Sequence, residues 1–296
     1  MATAAAFAIT ERLKLVKSPI YGTVISPVFS PVCACANAKA AINLGFRHRD
    51  RVDVIVLDGR RNVVRTIVFG RLVARGVSVF HWDGSTDVGP RAPDGRYRVQ
   101  VHLEGQHRTI LLPNVVVLDT TPPDVLDAQP NRPQLSPDGD RLGDTVTIHY
   151  VLSEPAHVLV YFHDLRIIQG RSRLLRGGVV WTGRINGRLL KRGITTLTVG
   201  AVDLAGNVTP LEARARVSLE IRYIALANHR ITGIAAGSHF DIGVSTDAKR
   251  YRWRLGKRSG VASGPVLRLR APVIPGRFTL TVTEHGHSDA AAVIVG

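Results

Sequence analysis

No stretch of this 296-residue chain keeps a helical spacing of apolar residues over eleven or more positions, which excludes long amphipathic helices as its main element. Gly-x-Ser-x-Gly, His-Glu-x-x-His and a phosphate-cradling Gly-rich loop are all missing, and nothing pairs a nucleophile with a base, so the case for an enzyme is weak. Cysteine is nearly absent: Cys33 and Cys35 are the only two, and they exclude a disulfide-built scaffold. Lysine is also scarce, 6 residues against 33 arginines, a bias that accompanies the abundant Ala, Gly and Val of GC-rich coding. Carboxylates number 23 against 39 basic groups, which leaves a formal charge of +16.

What is present favours β structure. Hydrophobic residues make up 45% of the chain, enough for two or three real cores, while 28 Gly and 16 Pro punctuate short alternating runs of Val, Ile and Thr. The charge is spread out: 13 basic and 8 acidic groups in residues 21–119, 12 and 9 in 120–216, 11 and 5 in 217–296. That distribution favours a solvated basic surface, with nucleic acid the lesser reading. The densest basic run is residues 249–254 followed by Lys257 and Arg258. On a strand it puts Tyr251 and Trp253 on one face and Arg250, Arg252 and Arg254 on the other, a core face and a wet face.

The chain is organised around Phe80-His81-Trp82-Asp83-Gly84 and the turn Pro93-Asp94-Gly95-Arg96-Tyr97 that follows it. A large aromatic ends an apolar strand, a Gly-marked loop follows, and an Asp-Gly turn feeds an alternating strand. About seven such strands fall within residues 21–119, the rhythm of a β-sandwich. Asp119-Thr120-Thr121-Pro122-Pro123 reads as a joint. Beyond it the pattern returns: Ser30-Pro31 matches Ser136-Pro137 at an offset of 106, and Trp82 matches Trp181 at 99, so seven residues are lost around residues 71–76. A period near a hundred marks tandem domains. The expected division is residues 1–20 as a tail, then 21–119, 120–216 and 217–296 as three β-sandwich units, the third of unclear register. Residues 1–10 are Ala-rich and apolar but too short to span a bilayer, and they read as the end of a signal or membrane-anchor segment begun ahead of Met1.

Phe29-Ser30-Pro31, residues 51–58, Val63-Val64-Arg65-Thr66-Ile67, Trp82-Asp83-Gly84 and Asp94-Gly95-Arg96-Tyr97 together resemble the immunoglobulin-like domain shared by the flagellar hook-capping protein and many secreted bacterial proteases and surface proteins. The likeness is looser over 120–216, where residues 202–207 resemble the end of bacterial immunoglobulin-like repeats. It implies an all-β fold of three tandem immunoglobulin-like β-sandwich domains, an extracytoplasmic setting and a structural or binding role without catalytic residues. Only about twenty residues precede the first domain, so hook assembly fits poorly.

For chemistry, Asp138, Asp140 and Asp144 share a Gly-containing loop, a composition suited to calcium and equally to an ion-free turn. For Cys33 and Cys35 a strained local disulfide, an intermolecular bridge, two free thiols or half of a metal site stand open. Trp82, Asp83, Gly84, Gly95, Tyr97 and Trp181 read as structural, the two tryptophans as core and Tyr97 as the anchor of its turn. His285 and His287 flank a Gly turn and read as solvent-facing. The expected function is a non-catalytic surface module meeting an envelope component, a surface protein or an anionic polymer, with no cofactor unless calcium binds. The rivals are an accessory region of a secreted hydrolase and a basic-surface binder of nucleic acid or anionic glycan.

Overall fold

The computed structural model describes residues 17–296; the Ala-rich stretch expected to be a signal or anchor remnant lies outside them. The first sandwich is built from β1 (Ile20–Ile25), β2 (Val28–Phe29), β3 (Ala40–Phe46), β4 (Asp50–Leu57), β5 (Val63–Val73), β6 (Gly76–Trp82), β7 (Gly95–Leu103) and β8 (Arg108–Leu118). Alternation sets these strands: along β7, Tyr97, Val99, Val101 and Leu103 are buried while Arg96 and Arg98 face water. One sheet runs β1-β3-β6 and the other β2-β8-β7-β4-β5, with the short β2 parallel to β8 and the other pairs antiparallel.

The second sandwich contains β9 (Val125–Pro130), β10 (Gln134–Leu135), β11 (Val146–Phe162), β12 (Leu165–Trp181), the small hairpin β13 (Arg184–Ile185) and β14 (Arg188–Leu189), β15 (Gly193–Val202) and β16 (Ala215–Ile221). Its sheet runs β10-β16-β15-β11-β12 with β9 on β11, and β10 is again parallel to β16. Here β11 does the work of β3 and β4 in one 17-residue strand, and β12 that of β5 and β6. The turn that separates β5 from β6 falls within the seven residues this copy lacks, so the strand continues unbroken.

The third sandwich repeats the order without fusion: β17 (Ala225–Leu226), β18 (Arg230–Ile234), β19 (His239–Ser245), β20 (Tyr251–Leu255), β21 (Arg258–Ala262), β22 (Val266–Arg270), β23 (Gly276–Glu284) and β24 (His287–Val295). Its sheets are β17-β19-β22 and β18-β24-β23-β20-β21, with β18 parallel to β24. The register unclear in sequence is therefore the eight-strand plan of the first sandwich, which the second carries with four strands fused into two.

Each plan closes on its own core. Phe29, Phe46, Phe80 and Trp82 fill the first, Leu135, Ile148, Leu197 and Trp181 the second, and Phe240, Tyr251, Leu280 and Val293 the third. By contacts the chain divides into two compact units, one running to Pro122 and taking in Val202–Val208, the other Pro123–Ala201 with Thr209–Gly296. Among the described residues no helix is long and apolar enough to cross a membrane.

Candidate functional site

The motif residues lie in the core and in the turns beside it. Trp82 is 1% exposed, its ring centroid 5.2 Å from that of Phe29 and 4.8 Å from that of Tyr97. Its indole N–H donates to the Ser85 carbonyl at 2.9 Å, and Asp83 accepts from the Ser85 hydroxyl at 2.6 Å, a bond that holds the Asp83 carboxyl below its usual range. Gly84 has φ +81°, and a Cβ there would meet Pro31 and Leu118 at 3.1 Å, so the turn takes glycine on both counts. Gly95 opens β7, and the Tyr97 hydroxyl donates back to the Pro93 carbonyl, the corner that fixes entry into that strand. The second copy repeats the arrangement: the Trp181 indole donates to Arg184 O at 3.2 Å, and Gly183, at φ +69°, lies against Pro137.

Cys33 and Cys35 are joined as a disulfide on the loop after β2. Gly206 packs against it, so closely that a Cβ would lie 2.5 Å from the Cys35 sulfur and 3.3 Å from that of Cys33. The loop of residues 202–208 is braced by Asp203, which accepts from the N–H groups of Gly206 (2.6 Å) and Asn207 (2.8 Å), and by Asn207 Nδ2 donating to Asp119 O at 3.0 Å.

The acidic loop supplies the one mixed donor cluster in the second unit's described residues. Gly139, Arg141 and Gly143 all take positive φ, which winds residues 136–144 tightly enough to direct Asp138 and Asp140 to one side. There they meet Glu284, at the end of β23, and His285: one ligand atom from each of the four lies within 4.8 Å of all the others. Glu284 is buried, takes a bond from Thr246 Oγ1 at 3.2 Å and contacts His285 Nδ1 at 2.6 Å. Burial pushes its carboxyl up from the ordinary range, the Asp138 charge adds to that, and the Glu284 bond raises His285 in turn. Asp144, expected in the same set, stands apart; its two oxygens accept from Gly139 N and Arg141 N at 2.7 Å and hold the loop's shape. Glu284 and His285 were not expected here, and no spacing signal links them to Asp138 across 146 residues. Three carboxylates and an imidazole offer a hard cation its oxygens, or share protons among themselves.

Tyr251 to Arg254 of the basic run lie on β20, with Arg250 just before it. Tyr251 is buried and Trp253 half-buried against the third core, while Arg250, Arg252 and Arg254 face solvent. His287 stacks on Tyr223, with ring centroids 3.7 Å apart.

Residues 37–106 match the family described as the FlgD Ig-like domain. No curated protein matches the chain. Among solved structures, the three-domain I67–I69 fragment of titin is similar at 12% identity and a TM-score of 0.33, covering 95% of this chain and 99% of that one. The SGBP-B protein of the Bacteroides ovatus mixed-linkage glucan utilization locus, in complex with a heptasaccharide, gives 13% and 0.22 over 95% and 69%. A Ca2+-stabilized, ice-binding adhesin of an Antarctic bacterium gives 10% and 0.29 over 93% and 72%. Scores this low carry nothing about function. The chain's own repeated topology makes it a tandem of Ig-like β-sandwiches, and within the first of them residues 37–106 are similar to the FlgD Ig-like domain.

Proposed function

We propose that this protein is a non-catalytic extracytoplasmic module that holds tandem Ig-like sandwiches out from the bacterial surface, where loops or an edge strand meet a partner. The observation that carries this reading is the threefold recurrence of one strand order, fused in the second copy, each copy with its own closed core: a tandem of such units multiplies presented loops. The Cys33–Cys35 disulfide supports the location, because such bonds persist outside the reducing cytosol. Fractionation of native host cells tests it, with mass spectrometry of the mature N-terminal peptide and of the peptide carrying Cys33 and Cys35. An envelope or medium location with the two cysteines oxidised is expected; a cytosolic protein with free thiols overturns the extracytoplasmic reading.

A second reading, favoured by the convergence of Asp138, Asp140, Glu284 and His285, adds a calcium ion that ties the acidic loop to the end of β23.

A further inference from the structure

The three sandwiches treat their exposed sheet edges differently. In the first, the start of the edge strand β5 is covered by its own chain: Asp87 N–H donates to Val64 O at 2.9 Å, and Asp87 Oδ1 accepts from Thr66 N–H at 3.0 Å. In the third, the edge strands β21 and β22 are only five residues long, and Arg258 Nη1 reaches from one to Arg270 O of the other at 2.9 Å. Both are ordinary ways of protecting an edge.

The second sandwich has neither device. β12 is a 17-residue edge strand whose neighbour in the sheet order is β11, with which its register shifts between Gln169 and Arg173 and again between Leu174 and Arg176. The stretch that covers β5 in the first copy is replaced by the β13-β14 hairpin, which pairs with itself. Apart from the β11 ladder and the His157 ring on Gly170 O, no described residue hydrogen-bonds the backbone of residues 165–180. Six consecutive residues, Arg171-Ser172-Arg173-Leu174-Leu175-Arg176, are all exposed.

The side chains on this edge carry unneutralised charge. Between Leu165 and Val202 the chain has eight basic residues and no carboxylate, and Arg166, Arg171, Arg173 and Arg176 make no ion pair among the described residues. A second copy of β12 laid against the first would bring like charges together, which disfavours self-pairing. An acidic strand would bring the opposite charge to each arginine, while Leu174 and Leu175 give apolar side chains of the same strand a surface to cover.

From this combination we infer that β12 is a docking edge for an extended acidic segment of a partner protein, which adds to the sheet as a further strand along residues 171–176. Backbone N–H and C=O groups of the edge form the ladder, and arginines on both faces select for Asp and Glu at alternate positions. The inference rests on the binding-module reading but not on its cellular location, so fractionation and the following experiment fail independently.

The test uses the full chain and an eight-residue peptide alternating Glu with Val, followed by calorimetry and by hydrogen exchange. Expected are saturable binding, slowed exchange confined to residues 171–176, and at least tenfold weaker binding when the peptide is N-methylated at alternate positions. The triple variant Arg171→Glu/Arg173→Glu/Arg176→Glu loses the Glu-Val peptide and gains its Lys-Val counterpart. If that variant does not fold, the Gln triple variant replaces it and weakens Glu-Val binding at least tenfold. Equal affinity for the N-methylated peptide, protection elsewhere, no binding, or tighter binding of a single-stranded oligonucleotide to the same edge each overturns the inference; the last assigns the arginines to a nucleic acid.

Discussion

The indole N–H of Trp82 reaches the carbonyl of Ser85, three residues on, at 2.9 Å, and so ties the end of β6 to the turn that leaves it. Trp181 makes the same bond to Arg184 in the second sandwich. A buried indole with its N–H satisfied acts at once as core filler and as a clasp on the loop. Trp82→Ala is expected to destabilise the first sandwich by about 3–5 kcal/mol, chiefly through the cavity. Trp82→Phe retains part of the ring contact but leaves the Ser85 carbonyl without its donor, at about 1–3 kcal/mol. Denaturant unfolding followed by circular dichroism checks both; a loss under 1 kcal/mol for the alanine variant would mean that Trp82 is not core.

Gly206 lies against the Cys33–Cys35 bridge in a left-handed conformation, φ +99°. Gly206→Ala is expected to push residues 202–208 away from the disulfide, at a cost of about 1–3 kcal/mol for the strained backbone and the clash together. Freed of this cover, the bridge should be reduced faster by a small dithiol, as followed by alkylation and mass spectrometry. An unchanged reduction rate would show that the glycine does not shield the sulfurs.

The parts of this structure legible in sequence are those specified within a few residues. Trp82-Asp83-Gly84 and Trp181-Thr182-Gly183 mark equivalent turns because a positive φ next to a buried aromatic needs glycine at that place. The loss of seven residues between the copies was legible as well, though not its consequence, a continuous edge strand without a turn. The acidic cluster was half legible. Asp138 and Asp140 declare themselves by composition, whereas Glu284 arrives from another sandwich and Asp144 is drawn off to backbone N–H groups. The basic edge was hidden by averaging: 12 basic and 9 acidic residues over 120–216 look balanced until β12 separates them in space.

Glu284 and His285 give the second unit a pH dependence of definite sign. Burial, then the charge of Asp138, raises the Glu284 carboxyl, and the Glu284 bond raises His285; Asp140 also faces His285, and Thr246 donates to Glu284. Both groups hold their protons more tightly folded than unfolded. Their contribution is therefore full below the unfolded values and is lost as pH rises through the folded ones. This pair's share of the unit's stability should fall from about pH 4 towards pH 8, and Glu284→Gln should remove most of that slope. Chemical unfolding across that range checks it; parallel wild-type and variant curves would remove Glu284 from the account.

A cation at the same cluster would replace those protons, so its effect should grow where theirs fades. At neutral pH, calcium at a hundredfold excess over its Kd is expected to stabilise the second unit by about 2.7 kcal/mol, a rise in Tm of about 5–10 °C for a unit of this size. Chelator should reverse the gain. Asp138→Asn with Glu284→Gln should abolish it by removing carboxylates from the convergent set. Asp144→Asn should weaken it less than the double variant does, because Asp144 lies outside the convergent set, although asparagine keeps an acceptor for only one of the two N–H groups it serves. A Tm indifferent to calcium and chelator would leave the cluster as a proton-sharing joint, and a calcium response kept by Glu284→Gln but lost on Asp138→Asn would return the ion to the loop by itself.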